Sequence, residues 1–208
     1  MDKESNKIFA LLADYFDMPE DKHRERMILA AKRKFISDGF SKITIQELCH
    51  ELRISKKTFY KHFKSKEDLV MAVIAANIKL FFPEIKNIMN SDFEPEKKIK
   101  MHMDFLFNKL FKNISLKFMA DVQAVMPEIW DAIDQFRGGV AESIGKTIAE
   151  AQKKGIYNRN IDSKILSKII GLVVSKVIDP RSLYEAGLQL EDVPRTFFSL
   201  IQMGLKDR

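Results

Sequence analysis

The sequence predicts an all-α fold, and three observations carry that expectation. Glycine and proline are sparse, 8 and 6 residues among 208, so little interrupts long helices. Apolar residues recur at spacings of three and four along much of the chain, the period of a helix with one buried face. Ser, Thr, Asp or Pro stands at the start of several of these runs, where it suits the first turn of a helix. The apolar fraction of 46% is ordinary for a folded chain, so disorder is not expected.

Residues 1–21 are expected to form an N-terminal helical arm. Ile8, Leu11, Leu12, Tyr15 and Phe16 have helical spacing in an acidic background, and Met18-Pro19 is expected to end the helix. A second helix follows over residues 22–38, with Ile28, Ala31 and Phe35 inward and Arg24, Arg26, Lys32, Arg33 and Lys34 in water. Gly39 suits a C-cap with left-handed backbone.

The stretch from Thr44 to Lys66 reads as two short helices joined by a tight turn. Thr44 and Glu47 form a capping box, and Ile45, Leu48, Cys49 and Leu52 make one apolar face. Arg53-Ile54 is the turn, and Ser55 caps a helix that runs to about Phe63. With Phe59 and Phe63 inward, Lys57 and Lys61 point to solvent, flanked by Thr58 and Tyr60. That outer face holds cations, hydroxyls and an aromatic but no carboxylate, an inventory that suits phosphate oxygens and base edges. A solvated lysine face on a plain helical hairpin is the alternative reading. Ser65 caps a further helix, with Asp68 at the capping-box position and Lys66 in the first turn, where backbone N–H groups can bind a phosphate.

The helix from Lys66 continues one face through Leu69, Val73, Ala76 and Leu80 to about Phe82, where Pro83 kinks or ends it. Pro95 opens a helix to about Lys112, with Ile99, Met103, Leu106 and Leu110 inward. Leu116–Val125 is the next segment. Glu128 to about Lys154 is longer, weakened internally by Gly138-Gly139 and stopped by Gly155. Asp162 or Ser163 caps a helix to about Val177, and the last runs from about Asp192 to Leu205 with Pro194 in its first turn. No internal repeat or low-complexity segment is present.

Charge is distributed unevenly. The formal net charge is +6, yet residues 22–68 hold 13 Lys+Arg against 6 Asp+Glu, a net +7, while residues 1–21 are acidic. A basic segment of this kind is a nucleic-acid footprint.

Many positions at fixed spacing carry a family resemblance: Ile28, Ala31 and Phe35; Gly39-Phe40; Thr44-Ile45; Leu48-Cys49; Ser55-Lys56; Thr58-Phe59-Tyr60; Phe63; Ser65-Lys66-Glu67 and Leu69. From Met27 to Leu69 the chain resembles the N-terminal domain of TetR/AcrR-type transcriptional regulators. The resemblance implies a three-helix helix-turn-helix DNA-binding domain over 22–68 and a C-terminal helical ligand-binding and dimerisation domain over 69–208. It implies a homodimer on double-stranded DNA, most often a repressor, released by a small-molecule effector. By position it implies a phosphate contact at Thr44, base or backbone contacts at Lys56, Lys57, Thr58 and Lys61, phosphate contacts at Tyr60 and His62, and a phosphate clamp at Lys66. Arg53 and Lys57 stand where the family commonly has glycine. The first implies a costly positive φ, and the second adds charge and shifts base preference. For the acidic arm, two roles stand open: covering apolar surface, or lying near the basic reader and weakening DNA binding.

Two C-terminal segments are apolar over more than half their circumference. Ile165, Leu166, Ile169, Ile170, Leu172, Val173, Val174, Val177 and Ile178 form one, and Phe197, Phe198, Leu200, Ile201, Met203 and Leu205 the other. One side of each can face its own domain and the other a second copy, with Gly171 and Gly204 allowing close approach. The middle helices offer Phe105, Phe107, Phe111, Phe118, Met101, Met103, Met119, Met126 and Trp130 to an apolar ligand or to a plain core, with His102 and Tyr157 as possible orienting groups.

Other function classes find no motif. His23, His50, His62 and His102 lack metal-ligand spacing, no glycine-rich nucleotide loop follows a strand, and no nucleophile elbow occurs, so no enzyme, metal or cofactor is expected. The single cysteine, Cys49, falls on a buried face and fits a reducing compartment. With no secretory leader and no apolar run of membrane-spanning length, a cytoplasmic protein is expected. A DNA-binding regulator without a small ligand, controlled by a protein partner, is the alternative reading.

Overall fold

The computed structural model describes residues 5–18 and 21–205, without the side chains of Ser5, Asn6 and Phe111, and every regular element among them is helical. In order these are α1 (Ser5–Leu11), α2 (Ala13–Phe16), α3 (Lys22–Asp38), α4 (Ile45–Leu52), α5 (Lys56–His62), α6 (Lys66–Asn90), α7 (Pro95–Asp104), α8 (Leu116–Val125), α9 (Pro127–Lys153), α10 (Ser163–Leu172), α11 (Pro180–Glu185) and α12 (Asp192–Leu205). A π-helical turn, Phe105–Leu110, extends α7, and another, Val173–Val177, extends α10. None of these helices is long and apolar enough to cross a membrane.

Caps explain most of the boundaries. Asp21 accepts the N–H groups of His23 and Arg24 and starts α3; Ser115 starts α8; Asp162, rather than Ser163, starts α10. Gly39 ends α3 at φ 77° but ψ 164°, so its φ is positive without the left-handed helical geometry expected there.

Several faces differ from those read off the spacing. On α3 the buried residues are Met27, Ala30, Ala31 and Phe35, with Ile28 only half-buried. Arg24 is half-buried, its guanidinium 5.1 Å from the Phe63 ring, and Lys32 lies partly buried with Nζ 3.5 Å from Asn113 Oδ1. Helix α6 passes through Pro83 and continues to Asn90, because a single missing N–H on an exposed face does not break a 25-residue helix held by its neighbours. Ala76 and Leu80 are exposed, and the inward side runs instead through Val73, Ile74, Phe81, Ile85 and Ile88. On α7, Ile99 is buried as expected, but His102 and Phe105 take the other enclosed places.

The arm is part of the packing. A break at Leu12 separates α1 from α2; Ile8 and Leu12 are buried against the shared core, and Tyr15 donates to Asp68 Oδ1 at 2.7 Å. The expected stop at Pro19 lies outside the described residues.

That core runs without interruption from α3–α5 into α6, α8 and α9. Its joint is an aromatic trio: Phe35 and Phe40 meet Phe118 of α8 at centroid distances of 6.2 and 6.0 Å. Helix α10 lies close along α9, where a methyl group on Gly145 would collide with Ser167.

Candidate nucleic-acid interface

The geometry of residues 40–68 follows from short-range rules. Thr44 accepts the Glu47 N–H at 3.2 Å while Glu47 Oε2 accepts the Thr44 N–H at 2.6 Å, a complete capping box. These bonds hold the Glu47 carboxyl below its usual pKa range. Arg53 closes the turn in the left-handed region at φ 54°, ψ 44°. Ser55 caps α5 by accepting the Thr58 N–H at 3.0 Å. Phe59 and Phe63 are fully buried, which turns the opposite side of α5 outward.

The eight expected contact residues divide into three groups. Lys56, Lys57, Tyr60 and Lys61 stand exposed on one open surface, and the three lysines make no ion pair among the described residues. The Tyr60 ring packs edge-on against Phe59 while the side chain stays exposed. Thr58 is half-buried and shares its hydroxyl with Ser55 at 2.9 Å.

Thr44, His62 and Lys66 are already engaged. The Thr44 hydroxyl donates to Glu47 Oε2 at 2.9 Å. His62 Nδ1 lies 3.0 Å from Asp21 Oδ2, a contact its position on α5 did not foretell. Lys66 points inward: Nζ donates to the carbonyl oxygens of Phe40, Ser41 and Ile43 at 3.0, 3.2 and 3.0 Å, and sits 5.7 Å from the Phe40 ring centroid. An ammonium has three protons, so its donors are fully used. In this structure Lys66 is therefore a strut under the loop before α4 rather than a free cation at a helix end.

Two further residues hold that loop and carried no local signal. Asp121 of α8 accepts the Ser41 N–H at 2.8 Å, and Lys117 Nζ donates to the Ser37 carbonyl at 3.3 Å. Asp68, the expected capping-box carboxylate, accepts the Lys64 N–H at 2.6 Å while Ser65 caps the helix. Cys49 is buried, and burial pushes its thiol up, away from the thiolate that reactive chemistry requires. Among the described residues no group of three or more His, Cys, Asp and Glu is placed to hold a metal ion.

Helices α6 and α8 also wall a partly open cavity of about 260 Å³ in the larger helical part. Its lining is almost wholly apolar and includes Ile8 of the arm, Ile74 and Ile78 of α6, Phe118 and Val122 of α8, Trp130 of α9 and Phe197 of α12. Of the aromatic and Met residues singled out above, Phe105, Phe118, Met103, Met119 and Trp130 line it. Met101, Phe107, Met126 and Tyr157 are not among the lining residues, and the Phe111 side chain lies outside the described ones. His102 lines it and is buried.

Comparison with known proteins bears on the first seventy residues most directly. Residues 28–73 match the family described as bacterial regulatory proteins, tetR family. Over 65 residues the chain is 43% identical to YerO, an uncharacterized HTH-type transcriptional regulator of Bacillus subtilis; that match spans 31% of this chain and 22% of the relative. Over 97 residues it is 32% identical to an HTH-type transcriptional regulator of Staphylococcus aureus, spanning 45% of this chain and 51% of the relative. The matched stretches thus cover about a fifth and about half of those relatives' lengths. The fold as a whole is similar to that of the ketosteroid transcriptional regulator KstR2 of Mycobacterium tuberculosis, with TM-score 0.61, 16% identity, and coverage of 91% of this chain and 98% of that one.

Proposed function

We propose, for a chain whose residues 28–73 belong to the TetR family of bacterial regulatory proteins, that it binds a palindromic operator as a homodimer and is released by a small molecule in the cavity. In this reading it is a cytoplasmic repressor with three parts: the arm 1–21, the DNA reader 22–68 and the effector-binding and pairing region 69–208.

The observation that carries the DNA reading is the outer face of α5. Lys56, Lys57, Tyr60 and Lys61 are exposed together on a seven-residue helix that contains no carboxylate. Such a helix reads base edges while its lysines meet phosphate.

Pairing is supported by what α10 and α12 leave in water. Ile165, Ile169 and Leu172 are 61%, 43% and 52% exposed at i, i+4 and i+7, and Leu200 and Met203 are 62% and 76% exposed. Large apolar side chains left in water on two helices that share one core cluster are the mark of an interface. One short reading helix meets too few bases to be specific, whereas two related by a two-fold axis bind two half-sites.

Shared walls support release by a ligand. Cavity residues Ile74, Asn77 and Ile78 lie on the helix whose first turn carries Lys66, and Phe118 and Val122 lie on the helix that carries Asp121. Lys66 and Asp121 both grip the loop before α4. An occupant that displaces α6 or α8 shifts the reader, and by linkage DNA then weakens ligand binding. A concave, almost wholly apolar cavity favours a small molecule over control by a protein partner. Footprinting the purified protein on DNA flanking its own gene tests the reading: protection of two symmetric half-sites is expected, and uniform or absent protection would sink it.

A further inference from the structure

Two polar atoms in the cavity wall have no partner. His102 Nε2 and Asn77 Oδ1 are both enclosed and both lack a hydrogen bond among the described residues. Most buried polar atoms in proteins are paired, so an unpaired one on a side chain that lines a cavity points to what the cavity takes.

The chemistry at His102 is fixed by its surroundings. Its Nδ1 lies 3.0 Å from the Lys98 carbonyl oxygen, which can only accept, so Nδ1 carries the proton. Burial holds the ring below its usual pKa, which keeps it neutral near pH 7. Nε2 is therefore a bare lone pair, an acceptor that needs a donor. Asn77 adds an amide that can accept through its oxygen or turn to donate. Helices α6 and α7, which carry these two residues, pack against one another.

The rest of the wall narrows the ligand further. Arg137 is the only charged side chain among the described lining residues apart from the neutral histidine. Three of its five N–H groups are engaged: it donates to the carbonyl oxygens of Val174 and Ile178 and lies 3.5 Å from Asp134, whose carboxylate balances its charge, with Trp130 at 5.6 Å. A carboxylate entering the cavity meets only a cation already paired with Asp134, and an ammonium meets no carboxylate among the lining residues. Everything else is hydrocarbon, aromatic ring or thioether.

We infer that the cavity binds an uncharged apolar molecule bearing a hydroxyl, whose O–H donates to His102 Nε2 with Asn77 as the second polar contact. This inference rests on the proposed effector role of the cavity and names the effector's chemical class.

Three probes with one hydrocarbon body test it: 4-propylphenol, which donates; 4-propylanisole, which only accepts; and 4-propylbenzoate, which is anionic. Calorimetric titration of the full-length protein is expected to give the phenol at least about tenfold tighter binding than either of the others. In His102→Leu and in Asn77→Leu, whose folding is checked by circular dichroism, the phenol-to-anisole ratio is expected to fall toward one. Equal binding of phenol and anisole, tightest binding of the benzoate, or no binding of any probe overturns the inference. Operator binding in the presence of each probe separates the two ideas. A phenol that binds through His102 but leaves DNA bound contradicts the effector role and not the ligand class. An anisole that releases DNA equally well contradicts the ligand class and not the effector role.

Discussion

Asp121 on α8 accepts the backbone N–H of Ser41 at 2.8 Å, across 80 residues of sequence. The same loop is held from the other side by Lys66 of α6, which donates to three of its carbonyl groups. The segment that precedes α4 is thus held by the two helices that also wall the cavity.

Removing the Asp121 clamp should loosen the reader without unfolding the chain. Asp121→Ala is expected to cost about 1 kcal/mol of stability, the net worth of a hydrogen bond at a partly exposed site. DNA affinity should fall several-fold, and the probe-induced release should weaken with it. Unchanged affinity and release in anisotropy titrations would mean that α8 does not set the loop.

Lys66 and Lys57 should respond differently, because one is a strut and the other is free. Lys57→Ala, on both copies of a dimer, should lessen the slope of log K against log salt by about two, since each phosphate contact contributes about 0.9. Lys66→Met should leave that slope nearly unchanged while lowering thermal stability, since three carbonyl groups lose their donor. A slope change for Lys66→Met as large as that for Lys57→Ala would restore Lys66 as a phosphate contact.

Much of residues 22–68 was legible because its determinants are local. Thr44, Ser55 and the pair Phe59 and Phe63 act within four residues, and each lies where its spacing placed it. What was illegible is long-range or depends on a local irregularity. Nothing near Lys66 tells that Phe40, Ser41 and Ile43 present their carbonyl groups to it. Nothing near His62 marks Asp21. Ile99, His102 and Phe105 are themselves spaced by three, but a count of apolar residues passes over a histidine and so favours Met103 and Leu106. Pro83 reads as a break, yet packing on both sides carries α6 through it. Helix α11 lies between the segment ending near Val177 and the last helix, where the spacing predicts no element, and its start is a cap by Asp179 on the Ser182 N–H.

Arg53 offers a stability test. It is the one non-glycine residue with positive φ among the described residues, and it is exposed. A left-handed conformation costs a side-chain-bearing residue about 1–2 kcal/mol, part of which glycine gives back as unfolded-state entropy. Arg53→Gly should stabilise the protein by about 0.5–1 kcal/mol and raise Tm by about 2 °C. A lower Tm would show that the arginine side chain makes contacts worth more than the strain.

Acid should destabilise the fold partly through His102. Burial holds its folded pKa below the usual value of 6.5, while the unfolded ring protonates near 6.5. The unfolded state therefore binds more protons below that value, and stability drains as pH falls from about 6.5 toward the folded pKa. Between pH 7.5 and 5.5 the parent protein should lose more in Tm than His102→Met does. Parallel losses would contradict this assignment.

Pairing through α10 and α12 has a direct readout. Leu172→Glu combined with Met203→Glu places charge on the exposed stripe and should yield a monomer in light scattering at micromolar concentration. Helicity should be kept and affinity for a two-half-site DNA lost. A variant that stays dimeric would move the interface elsewhere.

The central claim is that two copies present Lys57, Thr58, Tyr60 and Lys61 to one duplex. Operator binding measured across a salt titration addresses it most directly. With about six to eight phosphates neutralised, log K should fall against log salt with a slope of roughly −5 to −7; a slope near zero would contradict the account.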